Sequence, residues 1–174
     1  MEKVKTVSPD DLIRQLEHNA AVVEALFTGV PDPLITWKPS PERWSILEVL
    51  CHLADEEVED FRTRVRLALF TPTVAPPEID PEGWVLERQY AQQDFEKMMK
   101  RFLFERSEST AWLRSLTGVN WSSAYEHPRY GPMSARFFLE NWLAHDYLHM
   151  RQLVKLKYDY LSSDGANIIY AGTW

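Results

Sequence analysis

Four long amphipathic segments, separated by three proline-containing connectors, constrain the fold of this chain more than any other feature. The connectors are residues 30–43, 71–80 and 119–132, and a tail covers residues 162–174. Within the long segments apolar residues recur every three to four positions, as on one face of an α-helix, and we find no strand-like alternation. The pattern predicts an all-α four-helix bundle in a single domain, residues 1–174, with long crossover connections.

Residues that cap α-helices well mark where the helices begin. Serine and aspartate side chains accept hydrogen bonds from free backbone N–H groups at a helix start, and the candidate caps are Ser8, Ser45, Asp80 and Ser134. Glu48 follows Ser45 by three residues, which predicts a reciprocal capping box at the start of the second helix. A short helix with a break near Gly83 is expected before the third long helix. Glu57 interrupts the apolar stripe of the second helix, so the face turned to the interior is not purely apolar.

Composition and charge exclude several classes of function. With 19 basic and 26 acidic side chains the net charge is −7, which argues against a broad nucleic-acid-binding surface. No apolar run approaches the ~20 residues that span a bilayer, and the first residues lack the apolar core of a signal peptide. The single cysteine, Cys51, excludes an intrachain disulfide. We therefore expect a cytoplasmic protein that acts on a small molecule, with neither nucleic acid nor membrane as a partner.

Two histidines four residues apart, His145 and His149, are the strongest candidates for a functional site. On an α-helix this spacing places both imidazoles on one face, where they can bind one metal ion. His52 is the candidate third ligand, because it lies beside the apolar stripe of the second helix. Glu56, one turn after His52, and Asp146, next to His145, could hold the other nitrogen of a histidine ring or supply a further ligand. Three histidines from two helices predict a divalent-metal site with open positions for water or substrate.

The same residues also allow interpretations without a metal. A histidine pair on an apolar helix face can equally be a hydrogen-bonded pair in the core, and the acidic residues from Asp55 to Asp60 can form a solvated face. Cys51 is expected to be a small buried residue rather than a ligand. One class of metalloenzyme is excluded, since the zinc-peptidase motif requires glutamate directly after the first histidine and this chain has Asp146 there.

Three motifs, in this order, resemble those of the DinB/YfiT-like superfamily. They are Trp44-Ser45-x2-Glu48-x3-His52-Leu53-x-Asp55, His127-Pro128-x2-Gly131-Pro132-x-Ser134 and His145-Asp146-x2-His149-x2-Gln152. The resemblance covers nearly the whole chain and implies a four-helix bundle with crossover connections, often dimeric, that holds one divalent metal ion on three histidines. Carried over, the ligands fall on His52, His145 and His149, and we expect a homodimer. Zinc and nickel are the leading metals, although histidine ligands also suit copper and iron.

The resemblance implies function less sharply than fold. Members of the family resemble thiol-dependent transferases, thiol-dependent isomerases or metal-dependent hydrolases. Three neutral histidines leave the charge of a divalent ion uncompensated, so an anion such as thiolate or hydroxide is favoured at an open position. The leading hypothesis is an S-transferase that joins a low-molecular-weight thiol, as co-substrate, to a small electrophile. A hydrolase using metal-bound hydroxide and a non-catalytic, stress-related protein that binds metal or a small ligand are the alternatives, and no catalytic acid or base is assigned.

Overall fold

The computed structural model describes residues 7–163 and 165–172. This part of the chain contains α1 (Pro9–Phe27), α2 (Asp32–Thr36), α3 (Ile46–Glu56), α4 (Thr63–Phe70), α5 (Pro81–Glu87), α6 (Phe95–Ser115), β1 (Ala124–His127), β2 (Gly131–Ser134) and α7 (Ala135–Ser163). A π-helical turn, Glu57–Arg62, joins α3 to α4, and short 3-10 turns lie at Tyr90–Gln92 and Ile169–Ala171. In the tail, the sequence Asp164-Gly165 predicts a turn, and Asp164 lies outside the described residues.

Four rods form the bundle: α1, the continuous rod from α3 to α4, α6 and α7. The first rod packs against α6 and α7, and the α3–α4 rod packs against the same two helices from the opposite side. Helices α1 and α3 follow each other in the chain but lie diagonally opposite each other in the bundle, and the same is true of α6 and α7. The connections within these two pairs therefore cross an end of the bundle. The predicted four-helix bundle with crossover connections is confirmed. Within the described residues, every helix is too short or too polar to cross a membrane.

The four candidate caps are confirmed. Each accepts a hydrogen bond from the backbone N–H three residues later: Ser8 from Asp11 (3.1 Å), Ser45 from Glu48 (3.2 Å), Asp80 from Gly83 (2.9 Å) and Ser134 from Phe137 (3.0 Å). The Glu48 carboxylate accepts from the backbone N–H of Ser45 at 2.7 Å, which completes the predicted capping box. The break expected near Gly83 falls later, at residues 88–94, so α6 has a cap of its own in Asp94.

The third connector contains a hairpin that the sequence pattern did not predict. Strands β1 and β2 pair in antiparallel fashion, with Ala124 opposite Ser134 and His127 opposite Gly131. The His127 Nδ1 accepts hydrogen bonds from backbone N–H groups in the turn, and Gly131 has a φ of +73°, a conformation that favours glycine. The sequence pattern indicated no strands, and this prediction was wrong. Strands of four residues are too short to show a visible alternation of polar and apolar residues.

The π-helical turn explains the interruption that Glu57 makes in the apolar stripe. The Thr63 hydroxyl donates to the carbonyl of Val58, five residues earlier, across this wider turn. Glu57, Asp60 and Phe61 are all buried there. Because a π turn inserts extra residues without ending the rod, α3 and α4 remain one continuous element.

A polar layer separates two apolar cores along the bundle. One core holds Val23, Phe102 and Leu153, and the other holds Leu16, Leu113 and Leu139. Between them lie buried polar side chains from all four rods: Asn19, His52, Glu57, Arg106, Asp146 and His149. Polar groups in such a position are costly unless they are paired or bind a ligand, so this layer is where a functional site is to be sought.

Candidate metal centre

Three histidines from two rods converge in the polar layer. The Nε2 atom of His52 lies 3.1 Å from the Nε2 of His145 and 3.1 Å from the Nε2 of His149, and the latter two atoms are 3.0 Å apart. The capping box fixes the start of α3 and thereby the face on which His52 lies. The four-residue spacing in α7 stacks the other two rings on one face. Among the described residues they are the only group of three histidine, cysteine or acidic side chains close enough to bind one ion.

All three imidazoles are kept neutral. Burial, reinforced by the nearby His149, lowers the pKa of His52 to about 3. Burial and the neighbouring His149, His52 and Arg106 lower the pKa of His145 to about 2. Burial also lowers the pKa of His149, although its bond to Gln152 opposes the shift. Neutral rings offer nitrogen lone pairs, which is the form in which histidine binds a metal.

A divalent cation fits this donor set. Nitrogen ligands bound at 2.0–2.1 Å to a tetrahedral zinc ion lie about 3.3 Å from one another, close to the 3.0–3.1 Å observed here. Ring N–H groups at all three positions would point at each other, whereas three lone pairs directed at a cation would not conflict. The interpretation of His145 and His149 as an ordinary core pair leaves the third nitrogen unexplained.

Neighbouring side chains fix the orientation of the rings. The Gln152 Oε1 lies 2.8 Å from His149 Nδ1, and an amide oxygen can only accept, so Nδ1 carries the proton and Nε2 is free to bind. The Trp44 ring is stacked on His149 at 6.4 Å with an interplanar angle of 5°, and it contacts His52 at 4.8 Å. Phe61 lies 4.9 Å from the ring of His145.

Glu56 is buried but stands outside the three-histidine cluster. Burial raises the pKa of Glu56 to about 7, with Arg64 opposing the shift and Asp55 adding to it. Its Oε1 atom and the Nδ1 atom of His52 are both buried, and neither has a hydrogen-bond partner in the described residues. The two residues are one turn apart in α3, so the unpartnered donor and acceptor lie on the same face.

The carboxylate of Asp146 bonds to Arg106 and Asn19 and not to a ring of the three histidines. Its two carboxylate oxygens each accept from Arg106 at 2.7 Å, and Oδ2 also accepts from Asn19 at 3.0 Å. Arg106 uses its remaining N–H groups on Glu57, at 2.9 Å twice, and on the Leu16 carbonyl. Adjacent residues on a helix point about 100° apart, so Asp146 faces the interior ion network and not the ring of His145.

The acidic run after His52 is largely buried rather than solvated. Asp55 accepts a hydrogen bond of 2.6 Å from the Tyr90 hydroxyl and pairs with Arg101 at 2.6 Å. Asp60 pairs with Arg64. Cys51, as expected, is fully buried, and burial raises the pKa of its thiol to about 12.

Sequence reasoning missed Gln152, which bonds to His149, and Arg106, which binds Glu57 and Asp146. Gln152 belongs to the third motif and follows His149 by three residues, a spacing that places it on the same helix face. Arg106 falls on the apolar stripe of α6 between Phe102 and Leu113. Arg106 on the apolar stripe of one helix and Glu57 on that of another carry opposite charges. Together they could have indicated a buried ion pair from the sequence alone.

Two cavities flank the histidines and share Leu148. The apolar chamber, of about 530 Å³, has His145 in its wall together with Phe61, Met133, Phe137, Phe138 and Leu148, and its charged residues are Asp60 and Arg64. The basic groove, of about 630 Å³, is lined by Trp44, Leu148 and Gln152 and by the charged residues Arg43, Arg151, Lys155 and Asp159. Gln152 bonds to His149 and Trp44 packs on His52, so the groove lies against the three-histidine cluster.

Comparison with known proteins agrees with this geometry. Residues 15–153 match the sequence model of the DinB superfamily. The solved structure of YfiT from Bacillus subtilis, described as a probable metal-dependent hydrolase with an unusual four-helix bundle topology, is similar with a TM-score of 0.77 at 20% identity. The similarity covers 96% of this chain and 93% of that chain. No protein with a curated functional description shows significant sequence similarity to the chain.

Proposed function

The chain belongs to the DinB superfamily, and from that premise we propose that it is a metal-dependent hydrolase whose ion is held by His52, His145 and His149. The observation that carries the proposal is the convergence of three neutral Nε2 atoms at 3.0–3.1 Å beside a cavity. The similar structure of YfiT, described as a probable metal-dependent hydrolase, supports it. Zinc and nickel are the expected metals, because imidazole suits both.

The chain's own residues prepare the site for such an ion. A divalent ion held there would polarise a substrate oxygen and lower the pKa of bound water. Gln152 fixes the tautomer of His149, and the stacked Trp44 and the adjacent Phe61 restrict ring motion. The apolar walls of the chamber, which is open to solvent, would bind an apolar part of a substrate by burying it next to His145.

We also propose that Glu56 holds His52 through one water molecule. The unpartnered Nδ1 of His52 must carry a proton when Nε2 binds an ion, and the unpartnered Oε1 of Glu56 can accept. A water molecule between two such buried groups would satisfy both, as carboxylates commonly do for metal-binding histidines. With a pKa near 7, Glu56 is also the residue best suited to take up or release a proton close to the site.

Metal content tests the ligand assignment directly. Elemental analysis is expected to find one zinc or nickel ion per chain in the purified protein and none in His52→Ala or His145→Ala. His18→Ala is the matched control, because His18 is exposed and lies outside the site. Metal retained by both ligand variants, or absent from the unsubstituted protein after incubation with either metal, contradicts the assignment.

Turnover tests the reaction. The zinc- or nickel-loaded protein is expected to hydrolyse 4-nitrophenyl esters without added thiol, and this activity should disappear on chelation and in His145→Ala. Rates equal to those of the chelated protein across ester and amide substrates would reject hydrolysis.

Thiol transfer is the second candidate, and the apolar chamber favours it. An apolar electrophile would find walls of Phe61, Phe137 and Phe138 beside His145, and a metal ion also lowers the pKa of a thiol. Cys51 cannot supply that thiol, since it is buried with a raised pKa, so a low-molecular-weight thiol would be the co-substrate. Turnover of 1-chloro-2,4-dinitrobenzene that requires both metal and glutathione or cysteine would assign transfer. Metal binding without either activity would leave a non-catalytic metal-binding protein.

A further inference from the structure

The arginines of this chain divide sharply by what their guanidinium groups contact. Eight of the twelve arginines form an ion pair with a carboxylate. Two more lie over an aromatic ring, Arg66 over Trp112 at 5.4 Å and Arg129 over Tyr130 at 5.3 Å. In the described residues only Arg43 and Arg151 have neither kind of partner, and both line the basic groove.

The groove has the chemistry of an anion-binding site. Arg43 comes from the connector before α3 and Arg151 from α7, so they approach the groove from different elements. Lys155 is the third basic residue, but Asp159 neutralises it at 2.8 Å. In the described residues neither Arg43 nor Arg151 forms an ion pair, although the Glu42 carboxylate lies near enough to Arg43 for its pKa to be lowered in part by that charge. A guanidinium presents paired N–H donors that match a carboxylate or a phosphate.

The position of the groove connects it to the metal centre. Two residues of the groove wall lie against the histidines: Gln152 Oε1 is 2.8 Å from Nδ1 of His149, and the ring centroid of Trp44 is 4.8 Å from that of His52. Leu148, half exposed, is shared by the groove and the apolar chamber. A small molecule can therefore extend from the chamber across Leu148 and place a charged end in the groove.

We propose that the basic groove binds an anionic group, a carboxylate or a phosphate, of the substrate that reacts at the three-histidine centre, through Arg43 and Arg151. As a statement about the substrate this rests on the proposed function, and it assigns the substrate class: a small molecule with an apolar reactive part and an anionic end. As a statement about binding it stands on the groove alone.

The first test measures binding without the metal. Chelated full-length protein is titrated at low salt with succinate and, separately, with inorganic phosphate by isothermal titration calorimetry, and the stronger of the two assigns the anion. The metal is removed so that an anion bound directly to the metal ion does not contribute to the measured binding. Arg43→Gln or Arg151→Gln should weaken binding about tenfold, and Arg151→Lys should restore part of it. Arg129→Gln is the matched control, since it removes the same charge outside the groove.

The second test measures selectivity in turnover. Metal-loaded protein is compared on 4-nitrophenyl butyrate and on the mono-4-nitrophenyl ester of succinate, which have equal chain length and differ by one carboxylate, after subtraction of the rate of chelated protein. The anionic ester should have the higher kcat/KM, and Arg43→Gln should lower that preference, the ratio of the two kcat/KM values, about tenfold.

The two tests separate failure of the groove from failure of the reaction. Absence of succinate and phosphate binding, or an equal loss in Arg129→Gln, overturns the inference. Hydrolysis of both esters with no dependence on Arg43 also overturns it and leaves the proposed hydrolase intact. Anion binding that depends on Arg43 and Arg151 without any turnover supports the groove and rejects the hydrolase.

Discussion

Arg106→Met is the substitution that best tests how the polar layer is held together. Arg106 donates two hydrogen bonds to Glu57 and two to Asp146, between 2.7 and 2.9 Å, and each of the three residues is 1% exposed. Methionine keeps an unbranched side chain but leaves two carboxylates buried without a counter-charge. Breaking a buried ion pair costs about 3–5 kcal/mol, whereas a domain is typically stable by about 5–15 kcal/mol. We therefore expect a large loss of stability.

Urea unfolding at pH 7 measures this loss. With a urea m-value of about 2 kcal/mol/M, a loss of about 4 kcal/mol lowers the midpoint by about 2 M. Arg114→Met is the matched control, because Arg114 also donates twice to one carboxylate, that of Glu17 at 2.8 and 2.6 Å, but both are exposed. Exposed pairs contribute about 1 kcal/mol or less. Equal midpoint shifts in the two variants would refute the reasoning.

A variant that removes all three charges gives a second check. The combination of Glu57→Leu, Arg106→Met and Asp146→Leu should regain most of the stability lost in Arg106→Met, because apolar replacement of a whole buried ion cluster is often neutral. Part of the loss should remain, since the Trp142 indole N–H, now 3.1 Å from Glu57, would lose its acceptor at a cost of about 1–3 kcal/mol. A combined variant less stable than Arg106→Met would show that the network is more than charge compensation.

Three further predictions concern single residues around the histidines. The folded-state pKa of Glu56 is raised from 4.5 to about 7, so the stability that chelated protein has below pH 4.5 is lost as the pH rises through 7. In urea unfolding, Glu56→Gln should therefore be more stable than the unsubstituted protein by up to about 3 kcal/mol at pH 8 and equally stable at pH 4. A difference that stays constant with pH would contradict the assignment. Gln152→Ala should weaken metal binding about 10–100-fold in chelator competition, with unchanged affinity as the contrary result. Cys51 should react with a thiol reagent only after unfolding, and rapid labelling of the native protein would contradict its burial.

The elements that follow from local chemistry were predictable from the sequence. A cap such as Ser45 and its partner Glu48 lie three residues apart, so the rule that joins them acts within one helical turn. The hairpin at residues 124–134 depends on pairing between two four-residue strands, for which no local periodicity exists. Glu57, the first residue of the π turn, is bound by Arg106, which lies 49 residues away, so only the interruption of the apolar stripe was visible in the sequence.

At the candidate site, helical spacing correctly predicted which residues on one helix come together, whereas adjacency in sequence did not predict the partner of a side chain. His145 and His149 were brought together by their four-residue spacing, and His52 was placed by its position beside an apolar stripe. Asp146 was considered as a partner because it follows His145 directly, yet consecutive residues on a helix face different sides. Its actual partner, Arg106, lies on another rod, and no local pattern joins the two positions.

The distribution of charge around the histidines explains why this face of an acidic protein should attract anions. Carboxylates close to the ligands in sequence already have partners, since Asp146 pairs with Arg106 and Asp55 with Arg101. Within the described residues Glu56 forms no ion pair, and burial raises its pKa to about 7, so a large fraction of it is neutral near that pH. An ion on three neutral imidazoles would therefore keep its full charge. Arg43 and Arg151, which form no ion pair in the described residues, place further positive charge in the basic groove. This face can therefore attract anions although the chain's net charge is −7.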